Sequence, residues 1–142
     1  DEFIFSGWFG RYLSNNHPSY PDGYPSSEFP DPLALTIGRT TSNTCQGPIV
    51  NMGMAIKSLN SFVDIKEGEG EVPDTPHGHE LQYIRTASKL TNDYFDRLEE
   101  AAEIGGNSSI EYPEYDLAQQ LKIVAQLIGG GLKSKIFVNY IT

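Results

Sequence analysis

Residues 116–141, DLAQQLKIVAQLIGGGLKSKIFVNYI, decide the fold class of this chain. Leu117, Leu121, Val124 and Ile128 recur at i, i+4, i+7 and i+11, the spacing of one apolar stripe along a helix. Asp116 stands where an N-cap is expected, Gln119 takes the capping-box position, and Gly129, Gly130 and Gly131 stop the helix. Residues 135–141 are then almost continuously apolar, as in a parallel strand covered on both faces. Helix, short loop and buried strand make half of a βαβ unit, so the expected class is α/β, or α+β if the piece stands alone.

Working back toward the N-terminus, a second and longer helix is predicted from Pro76 or His79 to Ile104. Its core stripe is Leu81, Ile84, Ala87, Leu90 or Thr91, Tyr94, Leu98 and Ala101, and Gly105-Gly106 ends it. Leu33 to Ile37 is a short apolar run closed by Gly38, which fits a buried strand. Val50, Met52, Met54 and Ile56 alternate within residues 47–57, which fits another strand with one face buried. Residues 59–65 read as a turn of helix, and residues 66–74 as an acidic, solvated loop. The sum is a small sheet of about three strands packed by two long helices.

Near the N-terminus, Ser6 is placed to cap a short helix over residues 7–14, with Trp8 and Tyr12 on one face. Five of the nine prolines then fall within residues 17–32, where neither helix nor central strand can persist. Tyr20, Tyr24 and Phe29 argue against disorder there, because disordered tracts are poor in aromatics. Residues 17–32 therefore read as an irregular Pro- and Tyr-rich arm that packs on the body of the protein.

At 142 residues the chain is one domain or a piece of a larger one. Ten basic residues against nineteen acidic ones leave a formal charge of −9, which disfavours a nucleic-acid partner. No run has the length of a membrane span, so a soluble protein is expected. The lone Cys45 has no partner for an internal disulfide. The chain opens on Asp1 rather than Met and stops at Thr142, directly after the apolar run, so it reads as an excerpt of a longer protein. Strand edges left bare by missing neighbours would favour self-association.

His77, His79 and Glu80 are the tightest cluster of metal-ligand types. Residues two apart on a helix do not share a face, so a helix start explains them better: Asp74 or Thr75 caps, Pro76 occupies the first turn and Glu80 complements the dipole. Thr40, Thr41, Ser42 and Thr44 follow a strand, as nucleophiles often do. They lack a nucleophile elbow and a nearby histidine, and read as a hydroxyl-rich turn. Gly129 to Gly131 end a helix rather than open one, which makes them a C-cap and not a phosphate loop. Tyr20 and Tyr24 are candidate ligand-binding residues, for a glycan or an envelope partner protein.

Taken in order, several short motifs resemble one family. They are Ser6-Gly7-Trp8-Phe9-Gly10-Arg11-Tyr12-Leu13; Pro32-Leu33-Ala34-Leu35 with Ile37-Gly38; Gln46-Gly47-Pro48; Asn51-Met52-Gly53-Met54-Ala55; Pro76-His77-Gly78-His79-Glu80-Leu81; and Leu121-Lys122-Ile123-Val124-Ala125 with Leu127-Ile128 and Gly130-Gly131-Leu132-Lys133. Together they look like the central part of the bacterial proteins grouped as domain of unknown function 1501, a family similar to the alkaline phosphatase and sulfatase superfamily. The resemblance implies a larger three-layer α/β/α fold, one or two divalent metals in the parent protein, hydrolysis of phosphate or sulfate esters, and a periplasmic or cell-surface location. The family's nucleophile segment precedes the motif at Ser6, and its metal-ligand motif follows the strand that here ends at Thr142. No catalytic residue and no cofactor are therefore expected in this chain.

Overall fold

The computed structural model describes residues 4–59 and 71–141, the side chain of Ala87 apart. The elements run α1 (Trp8–Asn16), β1 (Ala34–Ile37), a 3-10 turn (Asn43–Cys45), β2 (Gly53–Ile56), α2 (Pro76–Gly105), α3 (Asp116–Gly129) and β3 (Ile136–Val138). Most of residues 59–65 and 66–74, read above as a helical turn and an acidic loop, lies outside the described residues. The strands form one parallel sheet in the order β2-β1-β3, with Ala34 opposite Gly53 on one side and Ile136 on the other. The mixed α/β class with about three strands is as expected.

Alternation along the strands sends side chains to two separate cores. Leu35, Ile37, Ile56 and Phe137 meet Leu98, Ala101 and Leu127, so α2 and α3 cover one face together. Ala34, Ile136 and Val138 meet Leu13, Phe9, Cys45 and Met52, with Tyr20 and Tyr24 alongside, so α1 and residues 17–32 cover the other. Fully burying one of these Leu side chains contributes about 2 kcal/mol. Residues 17–32 are an irregular arm of successive turns: Tyr20 N donates to His17 O, Asp22 N to Ser19 O and Tyr24 N to Pro21 O. The Tyr20–Pro21 and Tyr24–Pro25 peptides are cis.

Several boundaries and faces differ from expectation. Gly7, not Ser6, is the N-cap of α1, and no side chain caps it. A Cβ on Gly7 would stand 2.3 Å from the Thr44 carbonyl oxygen, and Gly7 N donates to Gln46 O, so the helix start is docked on the 3-10 turn. Trp8 and Tyr12 lie on the exposed side of α1, while Leu13 is buried. Tyr115, not Asp116, is the N-cap of α3, without a side-chain bond, and Gln119 Nε2 donates instead to Pro113 O, so no capping box forms.

The buried face of α3 keeps Val124 of the predicted stripe but differs at other positions: Leu127 is fully buried with Ile123 beside it, whereas Leu121 and Ile128 are exposed. α3 is apolar on adjoining faces, and its C-terminus selects between them. Gly131 has φ +88°, Gly131 N donates to Ile128 O and Leu132 N to Leu127 O, a Schellman end that places Leu132 against Leu127. Glycines bring the two helices into backbone contact: a Cβ on Gly130 would lie 1.7 Å from Ala101 O, and one on Gly105 would lie 1.8 Å from Gln126 O.

Along α2 the stripe holds at Tyr94, Leu98 and Ala101, but Leu81 and Ile84 are exposed, because the first half of the helix runs past the sheet cores. β3, expected in mid-sheet, pairs only with β1 among the described residues. Also among these residues, no helix is long and apolar enough to cross a membrane.

Candidate functional site

Open α/β sheets bind ligands beyond the carboxyl ends of their strands. Here β1 leaves the sheet at Ile37, Gly38 N donates to Ile56 O, and the chain then presents Arg39. β2 leaves it at Ile56 and presents Lys57 and Ser58. A cleft of about 280 Å³ lies between them, walled by Gly38, Arg39, Ile56, Lys57, Ser58 and Phe95 of α2. Arg39 and Lys57 are exposed, and neither has a carboxylate partner among the described residues. In a chain of charge −9, two cations on one cleft are a local reversal of sign suited to an anion.

A second cleft, of about 180 Å³, lies between the arm, the start of β2 and the middle of α2. Tyr20, Tyr83, Tyr94, Met54, Leu90 and Thr86 line it. The arm reaches this place through ring contacts: Tyr20 meets Tyr24 edge-on at 5.2 Å, and His17 meets Phe29 edge-on at 4.7 Å. His17 Nδ1 and the Tyr24 hydroxyl are 2.7 Å apart. Burial pushes the Tyr20 phenol up to about 12 and raises those of Tyr94 and Tyr24 as well, because a phenolate loses its hydration there. Burial, followed by the charge of Lys135, holds His17 below its ordinary value. Tyr20 and Tyr24 are thus both half-buried and packed on the second core.

A buried ion pair ties the arm to the body. Asp31, between Pro30 and Pro32, accepts from Arg97 Nε at 2.6 Å and from the Lys133 backbone N–H at 2.7 Å. The same guanidinium donates through Nη2 to Gly131 O and through Nη1 to Glu100. Sequence reading missed this latch, because its three parts lie far apart in the chain. The one local signal was an acidic residue flanked by prolines in an otherwise aromatic arm.

The helix-start reading of residues 74–80 fits what is seen: Thr75 is the N-cap and its Oγ1 accepts from Gly78 N at 3.1 Å. His79 Nε2 pairs with Asp74 at 2.8 Å, while His77 and Glu80 stand exposed and 4.0 Å apart, so the three candidate ligands do not converge. No cluster of three or more metal-ligand residues occurs among the described residues. The hydroxyl run folds as a local turn: Ser42 Oγ accepts from Thr44 N, and Ser42 N donates to Thr36 Oγ1. Cys45 is buried there, and burial raises its thiol pKa, which keeps it a protonated core residue. Compared with known proteins, the chain matches no family model, no curated protein and no solved structure.

Proposed function

We propose that the chain is the middle portion of an exported bacterial protein of the phosphatase and sulfatase kind, without complete catalytic machinery of its own. In this reading it supplies parallel strands, covering helices and a place where the anionic group of a phosphate or sulfate ester rests. The observation that supports it is the cleft at the carboxyl ends of β1 and β2, with Arg39 and Lys57 on its walls. A guanidinium offers paired donors matched to a tetrahedral oxyanion, and a nearby ammonium adds a point charge. The divalent metal, the periplasmic or surface location and the hydrolysis itself belong, in this proposal, to the parent protein.

The test is titration of the chain with p-nitrophenyl phosphate and p-nitrophenyl sulfate. Expected are amide shifts centred on residues 38–39 and 56–58, severalfold weaker binding in Arg39→Gln and Lys57→Gln, and further weakening with added salt. No p-nitrophenolate should be released with added Zn²⁺, Mg²⁺, Mn²⁺ or Ca²⁺. Metal-dependent turnover by this chain, or binding indifferent to Arg39→Gln, would refute the proposal.

One observation favours a second reading, an envelope-associated binding module for a glycan or partner protein. Trp8 and Tyr12 on the outer face of α1 are 62% and 58% exposed, a platform of the kind on which sugar rings stack. Binding on a glycan array that is lost in Trp8→Ala and in Tyr20→Ala or Tyr24→Ala would support this reading; an array without signal would remove it.

A further inference from the structure

We propose that the cleft between the arm, β2 and α2 is a binding site for a small neutral molecule made of one ring and one hydroxyl or carbonyl group. Its 180 Å³ exceeds the roughly 150 Å³ of a cavity known to take benzene, so a single ring fits. Tyr20, Tyr83, Met54 and Leu90 make its walls largely apolar, and no charged side chain among the described residues lines it. A charged ligand would give up its hydration there without an ion partner, which argues for a neutral one.

The polar group of the ligand is called for by Tyr94. This residue is only 1% exposed, it lines the cleft, and its hydroxyl has no hydrogen-bond partner among the described residues. An unpaired buried hydroxyl is uncommon and costly, and a ligand oxygen within its reach would satisfy it. Tyr20 closes the arm side of the same space, so the arm completes the site while covering the sheet.

The test compares two probes of nearly the same size, benzyl alcohol and toluene, on the intact chain. The chain has two methionines, which serve as methyl reporters: Met54 lines the cleft, and Met52 is buried in the second core. Benzyl alcohol is expected to bind in the millimolar range and to shift the Met54 methyl well beyond that of Met52. Tyr94→Phe should weaken benzyl alcohol about fivefold, the size of one net hydrogen bond, and leave toluene unmoved. Thr86→Trp, at a half-buried helix position, should fill the space and abolish binding of both, its fold checked by circular dichroism. Absence of binding by either probe, a Met52 shift as large as that of Met54, or benzyl alcohol binding equally well to Tyr94→Phe would each overturn the proposal.

Discussion

Replacing Arg97 by alanine should unfasten the arm from the body, and the size of the effect follows from the contacts it makes. The Asp31 side chain is 4% exposed and that of Arg97 is 22% exposed, so the substitution strands a carboxylate almost without water. Breaking one side of such a pair costs about 3–5 kcal/mol. The Lys133 N–H remains on the other carboxylate oxygen and the open flank of Arg97 admits some solvent, which together favour the lower end, about 3 kcal/mol. A domain of this size has a total stability of about 5–15 kcal/mol, so the melting temperature should fall by about 10 °C. Glu100→Ala removes only the exposed partner at 3.0 Å and should cost under about 0.5 kcal/mol. Urea unfolding of Asp31→Ala, Arg97→Ala and the double variant completes the assay, with a coupling of about 2 kcal/mol expected between the two. Single losses that simply add, or an Arg97→Ala cost under about 1 kcal/mol, would show that the latch does not hold the arm.

The titrating groups set two pH limits. His17 is held below its ordinary value of 6.5, so the unfolded chain takes the proton first; stability should fall as pH drops below about 6.5, and His17→Gln should flatten that limb. Tyr20 keeps its proton up to about 12 when folded but loses it near 10 when unfolded, so stability should fall as pH rises from about 10 to 12, with its phenolate absorbance appearing only on unfolding. Gly130→Ala should cost about 2–4 kcal/mol by forcing α3 off the Ala101 carbonyl, whereas Gly129→Ala, whose nearest atom is 3.9 Å away, should be neutral or slightly stabilising in the same denaturation assay. The outer edges of β2 and β3 have no strand partner among the described residues, and light scattering should detect association that grows with concentration; a strict monomer throughout would count against edge pairing.

How much was legible follows from how local each signal is. The ends of α2 were readable because Thr75, Pro76 and Gly106 act on their own neighbours. β1 was readable as a compact apolar run. The burial of Leu127 in place of Leu121 and Ile128 on α3 was not, because Ile123 and Leu127 are as apolar as they are, and only contact with α2 and Leu132 chooses between them. Exposure of Leu81 and Ile84 was equally hidden, since periodicity marks a face without saying what meets it. In the carboxyl-end cleft, Arg39 and Lys57 are separated by strand and loop, and they come together only once β1 and β2 pair in register. Tyr20 stands out in the sequence as an aromatic of the arm, but Tyr94, across the same space, reads as one more core position on the α2 stripe.

The central place of β1 has a consequence for synthesis on the ribosome. Its first partner, opposite Ala34, is Gly53 and follows within a few turns of chain, but the partner on the other side, Ile136, is made 136 − 34 = 102 residues later. At about 5–20 residues per second, one flank of the strand waits roughly 5–20 s before β3 emerges to cover it. Throughout that interval the nascent chain carries an apolar strand with one edge unpaired, the state in which strand edges are prone to pair wrongly.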